Sequence, residues 1–287
     1  MPDVSLRRAV VKSDQKGIIE RVIWKFDGES ASPATDRIAR EEPLELRVAG
    51  ETLMVTMRTP GADRALAMGF LFAEGLISGA ADLGRLVHCG RPGDEGFGNV
   101  LDAHPAPGFA LNVDDLRLAR RGTLTTAACG VCGRQSIEDL HARIPTLAVS
   151  RTMGAQELLS AVSSLGDSQP IFRHTGGIHG AALVTEAGEL SFVAEDIGRH
   201  NAVDKVVGMA LFAAEERANP PSALIVSGRL SYEIAQKAAA FGVPVVAGVS
   251  APSSLAIELA ERFGLTLCGF VRGDKMNVYT HPERLFG

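Results

Sequence analysis

The stretch from Ala223 to Val271 constrains this chain more than any other. Short apolar runs at Ala223–Val226, Val245–Val249 and Leu265–Val271 read as strands, and Tyr232–Phe241 and Ser254–Phe263 between them read as helices. The pattern repeats itself. Phe241-Gly242-Val243 and Phe263-Gly264-Leu265 mark the same point in two successive helix-strand units, and each glycine stands where a helix should end. Strands joined by helices need crossovers, and right-handed crossovers leave the strands parallel. This half of the chain is therefore expected to be α/β. In open sheets of that kind ligands bind beyond the carboxyl ends of the strands.

Further elements lead into that core. Gln156–Leu165 reads as a helix, Ala181–Thr185 and Leu190–Ala194 as a hairpin around Ala187-Gly188, and Asn201–Glu215 as a second helix. The first third is β-rich. Pro43–Val48 and Leu53–Met57 alternate around Ala49-Gly50-Glu51-Thr52, a hairpin signal. Thr59-Pro60-Gly61 stops the second run, and Asp63 is the expected N-cap of a helix through Ala65, Met68, Leu71, Phe72 and Leu76. Residues 90–98 read as a glycine-rich loop. The expected organisation, α+β overall, has a small β-rich domain at 1–120, then a mobile loop and short helix at 121–145, then an α/β domain at 146–287.

Composition narrows the class. Apolar content of 46% and charged content of 22% over 287 residues suit a globular protein with a substantial core. A net charge of −5 argues against general nucleic-acid binding. Met1–Ser13 lacks the apolar run of a secretion signal, and no run approaches a membrane span. Four cysteines are too few for a disulfide scaffold, so a cytoplasmic protein with available thiols is expected.

Two of those thiols, in Cys129-Gly130-Val131-Cys132-Gly133, carry the most chemistry. Such a pair cycles as a disulfide, supplies half of a zinc site, or offers a nucleophilic thiolate. Zinc would need two more ligands; Cys89 beside His88, and His141, are available, but there is no second Cys-x-x-Cys. A thioredoxin-type motif would follow a strand, and Thr123–Ala128 is a poor one. A deaminase motif would need His-x-Glu ahead of Pro-Cys-x-x-Cys, and neither that motif nor the proline precedes Cys129. Cys268 sits in an apolar strand and reads as structural.

Five other segments stand at junctions where ligands rest. Arg173-His174-Thr175-Gly176-Gly177-Ile178-His179-Gly180 offers a backbone cradle or simply a tight loop. Glu195–Lys205 is the densest polar segment. There Arg199 could pair with a phosphate, His200 could move protons and Asp204, one turn on, could orient His200. Ser227-Gly228-Arg229 and Ser250–Ser254 lie between strands and helices, and serine caps explain both equally well. Phe270-Val271-Arg272-Gly273-Asp274-Lys275 ends the last strand, with a guanidinium suited to phosphate and a carboxylate suited to guanine.

Taken in order, these blocks resemble the formate dehydrogenase accessory sulfurtransferases of the FdhD family. The resemblance involves Thr56–Gly61, Gly69-Phe70-Leu71 with Glu74-Gly75, the Cys129–Gly133 block, His174–Gly177 with His179, Glu195–Asn201 with Asp204-Lys205, Ser227–Arg229 and Phe270–Asp274. Ala127 and Ala128 depart from the serines common in that family. The resemblance implies a cytidine-deaminase-like fold for the second half, without the deaminase zinc motif or a permanent metal. It implies a sulfur carrier that takes persulfide sulfur from a cysteine desulfurase and passes it to the molybdenum or tungsten bis(guanine dinucleotide) cofactor of formate dehydrogenase. A cofactor chaperone without sulfur chemistry is the alternative. It further implies Cys129, with Cys132, as the persulfide residues. A guanine-nucleotide ligand would be met by Phe270–Lys275, His174, Gly176, Gly177, Arg199, His200, Ser227 and Arg229. A homodimer is the expected assembly.

Overall fold

The computed structural model describes residues 10–11, 17–91, 93, 97–110, 146–148, 153–213 and 221–286. Thirteen described strands form three sheets. The central one has six strands in the order β13-β12-β11-β10-β8-β9. These are β8 (His179–Val184), β9 (Leu190–Asp196), β10 (Ala223–Val226), β11 (Val245–Gly248), β12 (Thr266–Arg272) and β13 (Lys275–Val278). As the alternation predicts, β10, β11 and β12 are parallel, while β8, β9 and β13 run antiparallel to their neighbours. All residues of β10 and β11 are buried, which is why both strands are unbroken apolar runs in sequence.

Helices cover both faces of this sheet. On one lie α4 (Arg199–Phe212), α5 (Tyr232–Phe241) and α6 (Ser254–Phe263); on the other lie α2 (Ala155–Asp167) and Leu285 of the terminal turn α7 (Glu283–Phe286). Gly242 and Gly264 end α5 and α6 in left-handed backbone, the conformation the repeat anticipates. A short α3 (Pro170–Thr175) follows α2.

The N-terminal part holds a four-stranded sheet ordered β5-β4-β7-β6, from β4 (Glu42–Val48), β5 (Glu51–Arg58), β6 (Leu83–His88) and β7 (Val100–Pro105). The expected β4–β5 hairpin is present; β6 and β7 are additions. Helix α1 (Asp63–Ala73) follows β5. Asp63 does not cap it. Ala62, in left-handed backbone, occupies the cap with no side-chain bond. Arg58 is fully buried and donates to both Asp63 oxygens at 3.0 and 3.2 Å. That ion pair holds the carboxylate away from the helix N–H groups.

Helix α1 crosses α4 closely because each offers a glycine. A Cβ on Gly69 would overlap the Asp204 carbonyl, and one on Gly208 would overlap the Ala65 carbonyl. Leu44, Leu66, Phe70 and Leu101 thereby join Val203, Val206, Leu224 and Leu267 in one apolar cluster.

The third sheet is a ribbon of β2 (Ile18–Phe26) and β3 (Ala31–Ala39), with the two-residue β1 (Val10–Val11) on its edge. Val22, Trp24 and Phe26 share one exposed face, Trp24 being 62% exposed. No described helix is long and apolar enough to cross a membrane.

Candidate functional site: the carboxyl rim of the central sheet

The end of β5 is docked onto the start of α4 by buried polar contacts. Thr59 N–H donates to Asp196 Oδ2 at 3.1 Å, and Ile197 N–H donates to Thr59 Oγ1 at 3.2 Å. Lys205 Nζ lies 2.6 Å from Asp196 Oδ2 and donates to the Thr59 carbonyl at 2.8 Å. Asn201 Nδ2 donates to the Met57 carbonyl at 2.8 Å and to Asp196 Oδ1 at 3.1 Å. Burial pushes Asp196 up from the usual carboxylate range, against the pull of the Lys205 ammonium. This lock sets where Arg199 and His200, the first two residues of α4, project.

They project to the carboxyl end of β10. Gly180 N–H donates to Ser227 Oγ at 2.9 Å, and Ser227 N–H donates to the Gly180 carbonyl at 2.9 Å. The antiparallel β8 thus delivers His179 beside Gly228: a Cβ at Gly228 would sit 3.3 Å from His179 Nδ1 and 3.8 Å from Arg199 Cδ. Glycine at 228 keeps the backbone, the imidazole and the guanidinium stem in contact. Burial, then the charges of Arg199 and the exposed Arg229, hold His179 below the ordinary histidine value; Asp196 works the other way. Burial and Arg229 likewise lower Arg199, and its Nε is buried without a hydrogen-bond partner among the described residues. Two guanidiniums acting on one imidazole can attract an anion.

The neighbouring junctions continue the rim. Leu230 pairs with Pro252, and Ser253 N–H donates to the Leu230 carbonyl at 2.9 Å, while Ser253 Oγ caps α6 through Ala256 N–H. Phe270 N–H donates to the Ser250 carbonyl at 3.2 Å, and Arg272 Nε donates to the Val249 carbonyl at 3.3 Å. Phe270 has φ of 53°, uncommon for a bulky side chain, and is 45% exposed. Val271 points into the core. Gly273, Asp274 and Lys275 are exposed. The segment does not simply end a strand: Lys275 opens β13, which returns antiparallel to β12.

His174 and Thr175 end α3 instead of lying in a loop, and Gly176 closes that helix with φ of 65°. His174 Nδ1 lies 3.2 Å from Arg37 Nη1 of the ribbon. Gly177 N–H donates to Thr175 Oγ1 at 3.3 Å. His200 Nε2 is 3.1 Å from Ser231 Oγ and 3.5 Å from Glu233 Oε2. Asp204 receives Lys237 Nζ at 2.7 and 2.9 Å. Glu233 and Lys237 escaped the sequence reading; their spacing on α5 was the available signal.

The rim therefore gathers His179, Arg199, His200, Ser227 and Arg229, with Phe270–Lys275 attached through Ser250. Cys129, Cys132 and the predicted 135–143 helix lie outside the described residues. Among the described residues no group of three or more His, Cys, Asp or Glu could hold a metal ion.

Comparison with known proteins follows the same lines. The FdhD/NarQ family profile matches residues 39–286. The sulfur carrier protein FdhD of Anaeromyxobacter sp. (strain K) is 51% identical, aligned over 99% of this chain and 98% of its own. That of Streptomyces coelicolor is 47% identical over 92% of this chain and 94% of its own. A crystal structure of a putative formate dehydrogenase accessory protein from Desulfotalea psychrophila superposes with a TM-score of 0.73 at 26% identity, covering 93% of this chain and 99% of that one. A family profile spanning the second half and most of the first, with near-full-length relatives, settles the matter: this chain belongs to the FdhD/NarQ family.

Proposed function

We propose that this protein is a sulfur carrier that receives persulfide sulfur from a cysteine desulfurase on Cys129. It then delivers that sulfur to a molybdenum or tungsten bis(guanine dinucleotide) cofactor destined for formate dehydrogenase. The observation that carries the reading is the near-full-length identity to proteins named sulfur carriers. The cationic rim, with glycine-lined approaches and a paired Arg199 and Arg229, supports a polyanionic cargo.

The transfer balances as thiol–disulfide exchange. The Cys129 thiolate attacks the outer sulfur of the donor persulfide, a new S–S bond forms on Cys129, the donor S–S bond breaks, and the desulfurase cysteine leaves as thiolate. Delivery as sulfide is a two-electron reduction that Cys132, three residues on, would supply: its thiolate attacks Cys129 Sγ, a Cys129–Cys132 disulfide forms, the persulfide S–S bond breaks and sulfide leaves to the cofactor. The cofactor is cargo. Arg199, Arg229 and Arg272 would meet its phosphates, and Phe270 and Asp274 would meet a guanine.

Incubation with a cysteine desulfurase and cysteine should add one sulfur to the intact protein by mass spectrometry, and Cys129→Ala should abolish the addition. A Cys129→Ala protein that still carries sulfur at full yield overturns the assignment. One that carries none yet activates formate dehydrogenase normally makes the protein a cofactor chaperone.

A further inference from the structure

His179 is the histidine of the rim that the cargo reading does not use. It sits at the first position of β8, against Gly228, with Arg199 on one side and Arg229 near it. Among the described residues the charged groups facing it are Arg199 from α4, Arg229 from the loop after β10, and Asp196 from the end of β9. Asp196 is committed to Lys205, Thr59, Asn201 and Gly198 N–H. Arg199 and Arg229 thus both disfavour a charge on the imidazole, while Glu233 partly offsets them at Arg199. An oxyanion set between the arginines reverses that balance, because it cancels their repulsion and offers an acceptor for an imidazolium N–H.

We propose that Arg199, Arg229 and His179 form a pyrophosphate subsite in which His179 takes up a proton as a guanine nucleotide binds. The proposal rests on the guanine-nucleotide reading of the cargo and adds a coupling to it. The proton comes from solvent and stays on the imidazole, with no bond made or broken elsewhere. The direction of the pH dependence follows. At low pH His179 is charged in both the empty and the filled site, and at high pH it is neutral in both. Between the two, binding draws in a proton, so affinity falls as pH rises through that window. The slope cannot exceed about tenfold per pH unit, the limit for one proton. Release of the cargo would then be favoured on the alkaline side of the window and retention on the acid side.

The test uses GDP-mannose, whose pyrophosphate is esterified at both ends and has no proton of its own to exchange near neutrality. Titration calorimetry of the full chain in buffers of differing ionisation enthalpy, between about pH 6 and 8, counts the protons taken up. Wild type should take up a fraction of a proton that stays below one. His179→Gln should bind with no net uptake and a flat affinity profile. Arg229→Gln, at an exposed position where folding is not at stake, should bind about tenfold or more weakly. Its proton uptake should also be smaller, since one of the cations that keeps the imidazole neutral has gone. Guanosine should bind without uptake. Binding of GDP-mannose without uptake, or uptake unchanged in His179→Gln, overturns the coupling alone. No binding of GDP-mannose to the wild-type protein overturns the guanine-nucleotide reading together with it, whereas the persulfide assignment is judged separately by mass.

Discussion

Asp204 and Lys237 face each other across the contact between α4 and α5, with the ammonium 2.7 Å from one carboxylate oxygen and 2.9 Å from the other. Both side chains are almost wholly buried. Glu233 extends the chain: its Oε1 lies 4.0 Å from Lys237 Nζ, and its Oε2 lies 3.5 Å from His200 Nε2. A buried polar line therefore runs from beneath α1 to the rim.

Breaking that line at Lys237 should be costly. Lys237→Met strips Asp204 of this cation in a dry interface, and a loss of about 3–5 kcal/mol in urea unfolding is expected. Replacing both, Asp204→Leu with Lys237→Met, should recover most of it. A single variant within experimental error of wild type would show the pair to be hydrated.

The α1–α4 crossing makes a second prediction. Gly69→Ala and Gly208→Ala each drive a methyl group into a carbonyl of the opposite helix. Each should destabilise by about 1–3 kcal/mol, because the helices must move apart and loosen the apolar cluster behind them. Denaturant midpoints will decide; unchanged values would mean that the crossing is wider in solution.

Thiol reactivity should separate the cysteines. Burial pushes the Cys268 thiol up to about 12, so at pH 8 only about one molecule in ten thousand carries it as thiolate. Iodoacetamide should label Cys268 only after denaturation, as read by peptide mapping. Native labelling at the denatured rate would place that strand at the surface.

The exposed face of the ribbon should be energetically silent. Trp24 is the chain's one tryptophan, and it stands largely in solvent. Its fluorescence should be quenched by iodide nearly as freely as that of the amino acid. Trp24→Ser should change unfolding free energy by less than about 0.5 kcal/mol. A shielded tryptophan would mean that another surface covers this face in solution.

What could be read from the residues alone depended on burial. The strands Ala223–Val226 and Val245–Gly248 are apolar throughout because both faces are covered, and two glycine-ended helices mark the spacing between them. The ribbon left no such trace. Its nine-residue strands mix Glu20, Arg21, Lys25, Asp36 and Arg37 with apolar residues that stay exposed, and Pro33 argues against a strand. Helix α3 was hidden because six residues are too few for a period, and the glycines after it read as loop. At the rim, the strand-to-helix junctions were legible as places, and Arg199, His200, Ser227 and Arg229 stand at them. Their mutual geometry was not legible. It depends on Thr59 reaching Asp196 across 137 positions and on Glu233 from another helix.

The shared core has a bearing on how this protein can be handled. Because Leu66 and Phe70 fill the same cluster as Val203 and Val206, a fragment ending near 110 and another starting near 153 would each be born with a sticky flank. Expressed singly they should precipitate or be degraded. Co-expressed, they should rescue one another as a split protein, giving a direct handle on what the residues between them contribute.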